Sequence, residues 1–344
     1  MLPATSPPTL TEARSTRWIS ASIAPAYPLA TLPAMSRLAA RLLYLCALLV
    51  GRLPWPWLWW LGDRIAARNL AANRRESRVT DCNLRLAFPG MDPGERAELK
   101  RAVMHTTARQ AMETVAIWSR TRRGNLDSLI VEMHGTRYLD EAIAAGRGVV
   151  LAAPHFGNWE LLNRWLAART PLSILYAPPS SKVMEGFLQL VRADEDRVTQ
   201  VRAETAGVRQ LLRYLRDGGV VGILPDQQPR GGEGEFAPFF GVPALTMTLF
   251  GKLAARTGAA VLLAWCERLP GHGPGGRPRF ALHLEPADPA VADPDPARAV
   301  AALNAEVERV ARRDPVQYQW TYKRYSLQPS GRGEDNPYWP ECYR

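Results

Sequence analysis

Cysteine is scarce in this chain of 344 residues: Cys46, Cys82, Cys266 and Cys342 lie far apart and form no CxxC pair. That spacing excludes a zinc module or a disulfide framework as the basis of the fold and suits a reducing compartment. Histidine is nearly as rare. Besides His155 there are only His105, His134, His272 and His283, and H-E-x-x-H is absent, so a metallohydrolase would need ligands that no motif supplies. Acidic residues are outnumbered, 33 Asp+Glu against 43 Lys+Arg, and the net charge of +10 points to phosphate-rich partners: nucleic acid, an anionic membrane surface or an acidic carrier protein. Eleven tryptophans tilt that choice toward the membrane.

An unbroken spanning helix is also missing. Residues 1–34 are rich in Pro, Ser, Thr and Ala and carry no sustained apolar period, which predicts a disordered extension; Met35 would serve as an alternative start. A targeting peptide would need an apolar core and a cleavage site that this stretch does not offer. From 35 to 62 the chain is apolar but interrupted, with Arg52, Pro54 and Pro56 after an uncharged run from Leu42 to Gly51. Trp55, Trp57, Trp59 and Trp60 follow, and tryptophan prefers the headgroup level of a bilayer, while Arg37 and Arg41 can snorkel to phosphates. The segment is expected to anchor the chain, as a short span or an interfacial helix.

Next comes a basic helical pattern with Arg64, Arg68, Arg74, Arg75, Arg78 and Arg85, facing lipid phosphate, an acidic partner or plain solvent. Asp92, Pro93 and Glu95 then stand as N-cap, N1 and N3 of a packing helix whose apolar stripe runs through Val103, Met104, Ala111, Val115 and Trp118. From Leu129 short β-rich runs at 129–133, 148–153, 172–176, 220–224 and 261–265 alternate with helix-length segments. This predicts an α/β fold with a largely parallel central sheet flanked by helices. An amphipathic helix is expected over Ala297 to Arg313; the aromatic and basic run Pro315 to Tyr325 suits either stacking on bases or aromatics packed inward with Lys323 and Arg324 pointing at lipid phosphate, and a loose tail is expected over 329–344.

Two strand ends carry the chemistry. The run Gly148 to Ala153 delivers His155 to a turn, and Glu160 follows as a helical pattern begins. Residues five apart lie about 140° round one helix, so the two side chains can meet only if His155 precedes the helix. Gly157 and Asn158 permit that junction, one by its free backbone angles and the other as an N-cap. A carboxylate on one ring nitrogen would leave the other free to take a proton; a structural histidine near a capping glutamate is the plain alternative. At the second strand end, Leu224-Pro225-Asp226-Gln227 leads into Arg230-Gly231-Gly232 and then Phe236-Ala237-Pro238-Phe239-Phe240-Gly241. A polar loop turning into an aromatic segment suits an acyl chain beside a charged headgroup, with Asp226, Gln227, Arg230, Phe239 and Phe240 as substrate contacts. Asp226 as an ordinary cap and the phenylalanines as core explain the spacing equally well.

Five blocks in order, between about Arg37 and Pro329, resemble the late acyltransferases of lipid A biosynthesis. They are Arg75-Glu76-Ser77-Arg78 with Asn83 to Pro89, His155 to Glu160, Leu224 to Gln227, Phe236 to Gly241, and Pro315 to Tyr325 around Gln317-Tyr318-Gln319-Trp320. The resemblance implies an acyltransferase domain over 63–328 with His155 as general base and Glu160 as its partner. It places Asp226 in the polar network of the site. It also implies acyl-acyl carrier protein as donor, a lipid A precursor as acceptor, no cofactor, metal or nucleic acid, and an enzyme on the cytoplasmic face of the cell inner membrane. Another glycolipid or aminolipid acceptor remains an alternative, and so does a basic membrane-binding protein without catalysis. Two positions depart from the family pattern. Tyr176-Ala177-Pro178 stands where relatives have Tyr-Arg-Pro, which leaves Lys182, Arg192 or Arg230 to supply the missing cation, and Lys323-Arg324-Tyr325 stands for Arg-Arg-Phe.

Overall fold

The computed structural model describes residues 32–120, 128–192, 197–229, 232–331 and 333–343. The expected disordered extension therefore lies almost wholly outside the described residues, as does Arg230. Four helices come first: α1 Ala34–Gly51, α2 Trp55–Ala71, α3 Arg75–Ala87 and α4 Pro93–Arg120. The break between α1 and α2 falls where Arg52, Pro54 and Pro56 predict it, with the prolines opening α2 rather than kinking a single helix. At the start of α4 the Asp92 carboxylate accepts from the backbone of Gly94 at 2.7 Å and of Glu95 at 3.4 Å, the cap read from the sequence.

The α/β body follows in the order β1 Ile130–His134, α5 Thr136–Ala144, β2 Val149–Ala152, α6 Trp159–Arg169, β3 Leu172–Tyr176, α7 Lys182–Arg192, β4 Val198–Arg202, α8 Thr205–Arg216 and β5 Val220–Ile223. A hairpin, β6 Gly234–Phe239 with β7 Val242–Met247, precedes α9 Leu249–Thr257, β8 Ala260–Gly273, β9 Arg277–Pro286 and α10 Pro296–Arg313. Seven strands form one sheet in the order β1-β9-β8-β2-β5-β3-β4, parallel throughout except for the β8–β9 pair. β2 and β5 are buried at every position, which is why each reads as a short uncharged, mostly Val/Ile/Leu run. One apolar cluster lies on each face of the sheet, around Val150, Val221 and Leu263 on one side and Val149, Leu151 and Leu262 on the other.

Parallel pairing of β2 with β5 and of β5 with β3 brings their carboxyl ends to one rim. That rim carries His155, Asp226 and Tyr176, with Arg202 at the end of β4.

Three expectations change. Trp55 and Trp59 are buried, whereas Trp57 and Trp60 are exposed, so the tryptophan cluster divides between core and surface. The tail is not loose over 336–343: Tyr338 and Cys342 are buried against α3, and the Tyr338 hydroxyl donates to Asn83 Oδ1 while accepting from the backbone of Tyr325. Arg324 does not point at lipid; it is buried and donates to Leu245 O, Thr246 Oγ1 and Asn304 Oδ1.

Candidate active site

The turn from His155 to Asn158 is held by its main chain. The amide of His155 donates to Asp226 Oδ2 at 2.9 Å and its carbonyl accepts from Gln319 at 3.0 Å. The amides of Gly157 and Asn158 donate to the carbonyls of Gln317 at 3.1 Å and Cys266 at 2.9 Å. Gly157 is required here, since its φ is +55° and a Cβ would come within 1.9 Å of the Cys266 carbonyl oxygen. Asn158 caps α6, its Oδ1 accepting from Leu161 N at 2.9 Å, so Glu160 falls in the first helical turn and His155 precedes the helix, the junction that Gly157 and Asn158 permit.

The imidazole is gripped from both ends. His155 Nδ1 lies 2.7 Å from Asp226 Oδ1, and Nε2 lies 3.1 Å from the Gln227 side-chain amide nitrogen. With a carboxylate on Nδ1, that nitrogen carries the proton and Nε2 presents a lone pair toward the Gln227 amide. Trp159 packs edge-on to the ring at 5.0 Å between centroids. Asp226 is fully buried. Burial pushes its carboxyl up, but the charge and hydrogen bonds of His155 outweigh burial and hold it below the ordinary carboxylate range. Tyr318 is also buried, and burial together with the adjacent Asp226 carboxylate pushes its phenol well above the ordinary value, keeping it a neutral donor. A water-sized cavity beside the ring is lined by His155, Asp226, Gln227, Asn83, Tyr318 and Tyr322.

The carboxylate on the ring is thus Asp226, brought in by a neighbouring strand, and not Glu160 from the following helix. Glu160 is buried, and its Oε2 accepts from the Trp118 indole at 3.4 Å. Spacing along one segment cannot reveal such a pairing, because it depends on β2 lying beside β5.

The remaining sequence candidates separate. Phe239 lines the cavity, whereas Phe240 sits at the β6–β7 turn, buried among Phe88, Trp320 and Arg312. Lys182 pairs with the buried Glu185 at 3.0 Å, and Arg202, which the sequence did not single out, pairs with the same carboxylate at 2.8 Å. Arg202 stands in register with Tyr176, so the rim does carry a cation beside Ala177. Its signal was a strand end, hidden in a weakly β-like segment. Two further residues organise the rim: the Tyr322 hydroxyl accepts from Gln228 N at 3.1 Å, and Asn83 Nδ2 donates to the carbonyls of Trp320 and Tyr322.

The model of the family described as "Bacterial lipid A biosynthesis acyltransferase" matches residues 32–326. A lipid A biosynthesis palmitoleoyltransferase of Escherichia coli (strain K12) is 27% identical over 285 residues, 81% of this chain and 88% of the relative. A lipid A biosynthesis lauroyltransferase of the same organism is 25% identical over 283 residues, covering 82% and 90%. A phosphatidylinositol mannoside acyltransferase of Mycobacterium tuberculosis (strain CDC 1551 / Oshkosh) is 32% identical over 140 residues, 38% of this chain and 42% of the relative. The parallel sheet with a histidine at its carboxyl rim and the match over 32–326 agree: the chain belongs to the bacterial lipid A biosynthesis acyltransferase family.

Proposed function

We propose that this acyltransferase moves a fatty acyl chain from acyl-acyl carrier protein to a hydroxyl of a lipid A precursor, at the cytoplasmic face of the inner membrane, with His155 as general base. One observation carries the reading: Asp226 holds Nδ1 of His155 and leaves Nε2 for an incoming hydroxyl.

In the proposed reaction Nε2 takes the acceptor hydroxyl proton as its oxygen attacks the thioester carbonyl carbon. The C–O bond forms and the carbonyl electron pair moves onto oxygen. Collapse of that oxyanion breaks the C–S bond, and the departing thiolate recovers the proton from the imidazolium. Asp226 keeps the ring oriented and stabilises its charged form, and Glu160 sits in the helical turn that follows. The Gln227 amide, which occupies Nε2 here, yields that atom to the acceptor and becomes free to donate to the oxyanion. General base catalysis contributes ~10²–10⁴-fold, the remainder coming from positioning and oxyanion stabilisation. Arg230, Phe239 and the aromatic segment are proposed to meet the substrates. The net charge of +10 favours both an acidic carrier protein and an anionic membrane.

The decisive experiment is transfer from acyl-acyl carrier protein to a lipid A precursor by wild type and His155→Ala, read by mass spectrometry. Full activity in the variant would remove the mechanism. The mannoside acyltransferase among the relatives keeps a second acceptor in view, and offering a phosphatidylinositol mannoside in the same assay separates the two.

A further inference from the structure

We infer that Tyr338 is a positioning residue of the active site: its hydroxyl fixes the orientation of the Asn83 amide, and through Asn83 the cavity wall at Trp320 and Tyr322. Tyr338 lies beyond residue 326, where the match to the family ends. The inference rests on the proposed reaction only for its kinetic readout.

The segment 336–343 holds its own shape. Asn336 Oδ1 accepts from Tyr338 N at 3.1 Å, and its Nδ2 donates to the Tyr343 hydroxyl at 3.0 Å. The amides of Trp339 and Cys342 donate to the carbonyls of Asn336 at 3.0 Å and Tyr338 at 2.9 Å. Cys82 Sγ donates to Pro337 O at 3.2 Å, tying the segment to α3, the helix that also carries Asn83. These turns leave Trp339 and Tyr343 exposed and bury Tyr338 against Asn83.

Asn83 is itself buried, and the polarity of its bonds has one solution. The carbonyls of Trp320 and Tyr322, at 2.6 and 2.8 Å, can only accept, so they take the two amide hydrogens of Asn83. Oδ1 is then left as an acceptor, and the Tyr338 hydroxyl donates to it. The phenolic oxygen in turn accepts from Tyr325 N at 3.1 Å, which directs its hydrogen to Asn83. Burial pushes the phenol above its ordinary value and keeps that hydrogen in place. Turning the Asn83 amide over would set its oxygen against two carbonyls and its hydrogens against the phenol.

This run of bonds ends in the site. Asn83, Trp320, Tyr322 and Tyr325 line the cavity beside His155. One residue before Trp320, Gln319 N donates to His155 O at 3.0 Å. A displacement at 320–322 therefore changes the cavity wall while Asp226 still holds Nδ1 of His155. Phenylalanine at 338 would keep the packed ring and remove only the oxygen, leaving Tyr325 N–H and Asn83 Oδ1 without it.

The test compares, in the full chain, wild type with Tyr338→Phe and with Cys342→Ala, which removes a buried thiol from the same segment and leaves the phenol in place. Single-turnover transfer by Tyr338→Phe should fall about 10-fold or more, with the pH dependence of the rate unchanged because Asp226 still holds His155. Cys342→Ala should lower the thermal midpoint and keep the wild-type rate. Equal losses of rate in the two variants, or a wild-type rate in Tyr338→Phe, would overturn the inference. In an Asn83→Ala background Tyr338→Phe should cost less than about 2-fold further, and full multiplication of the two losses would mean that the phenol does not act through Asn83. Hydrogen exchange reads the wall without substrate: amides over 319–325 should exchange at least about 10-fold faster in Tyr338→Phe and as in wild type in Cys342→Ala. Unchanged protection in Tyr338→Phe would also count against the assignment. Faster exchange in that variant, with no transfer by wild type, would fault the proposed reaction alone.

Discussion

At the residue scale the balance at Asp226 decides the most. Burial alone would favour its neutral form, yet the His155 hydrogen bonds keep it ionised. Asp226→Asn should retain the fold and reduce kcat by ~10²–10⁴-fold, measured by single-turnover transfer, because an amide donating to Nδ1 would move the ring proton onto Nε2. A depressed carboxyl stabilises the fold above its ordinary value of 3.8, and that contribution disappears as pH falls through the lower folded value. Below pH 3.8 the denaturation midpoint should therefore fall more steeply with pH in wild type than in the Asn variant. Gly157→Ala confronts a carbonyl oxygen at 1.9 Å with an unfavourable φ, and should lower thermal stability by more than the ~1 kcal/mol typical of glycine-to-alanine changes at positive φ. His155, Gly157, Asn158 and the helix start at Trp159 were legible because each rests on a local rule. The partnership with Asp226 was not, since it joins residues 71 apart.

At the element scale, α2, α4 and β8 meet through buried polar groups. Glu113 accepts from the Trp59 indole at 2.9 Å and from Arg268 Nε at 2.8 Å, with burial pushing its carboxyl up against the pull of Arg268. Arg268→Met should destabilise by about 3–5 kcal/mol in denaturant titration, because it leaves a buried carboxylate without its ion partner. A comparable loss should follow deletion of the last residues after 335, which removes the buried Tyr338 and exposes α3. Elements with apolar runs or capping signals, such as β2, β5 and α4, stood out in the sequence. The strands β4 and β9 and the β6–β7 hairpin did not. β4 is mostly half-buried and carries Thr199, Gln200 and Arg202 among its five residues, and β6 contains Gly234 and Pro238, which read as loop. The tail escaped notice because its main anchors, Tyr338 and Cys342, are two buried side chains in a stretch without a helical or alternating apolar pattern.

At the scale of the whole molecule, pH also acts through a group outside the His155–Asp226 pair. His283 stacks on Trp265 at 4.8 Å and on His134 at 4.6 Å, and burial with the neighbouring His134 lowers its pKa from 6.5 to about 4. A folded state that resists protonation loses stability as pH falls from 6.5 to about 4, where the unfolded chain binds a proton and the folded chain does not. The denaturation midpoint of wild type should fall across that window. His283→Gln should flatten the decline by up to the slope of one proton.

The turn that carries His155 has a further consequence for motion. Its amides at 155, 157 and 158 donate to groups from three separate stretches of chain, at Asp226, Gln317 and Cys266. No single segment can swing away and expose all three, so their exchange with solvent deuterium requires an opening that separates several parts of the body at once. His155 would then sit on a turn whose amides exchange only when several parts of the body separate together.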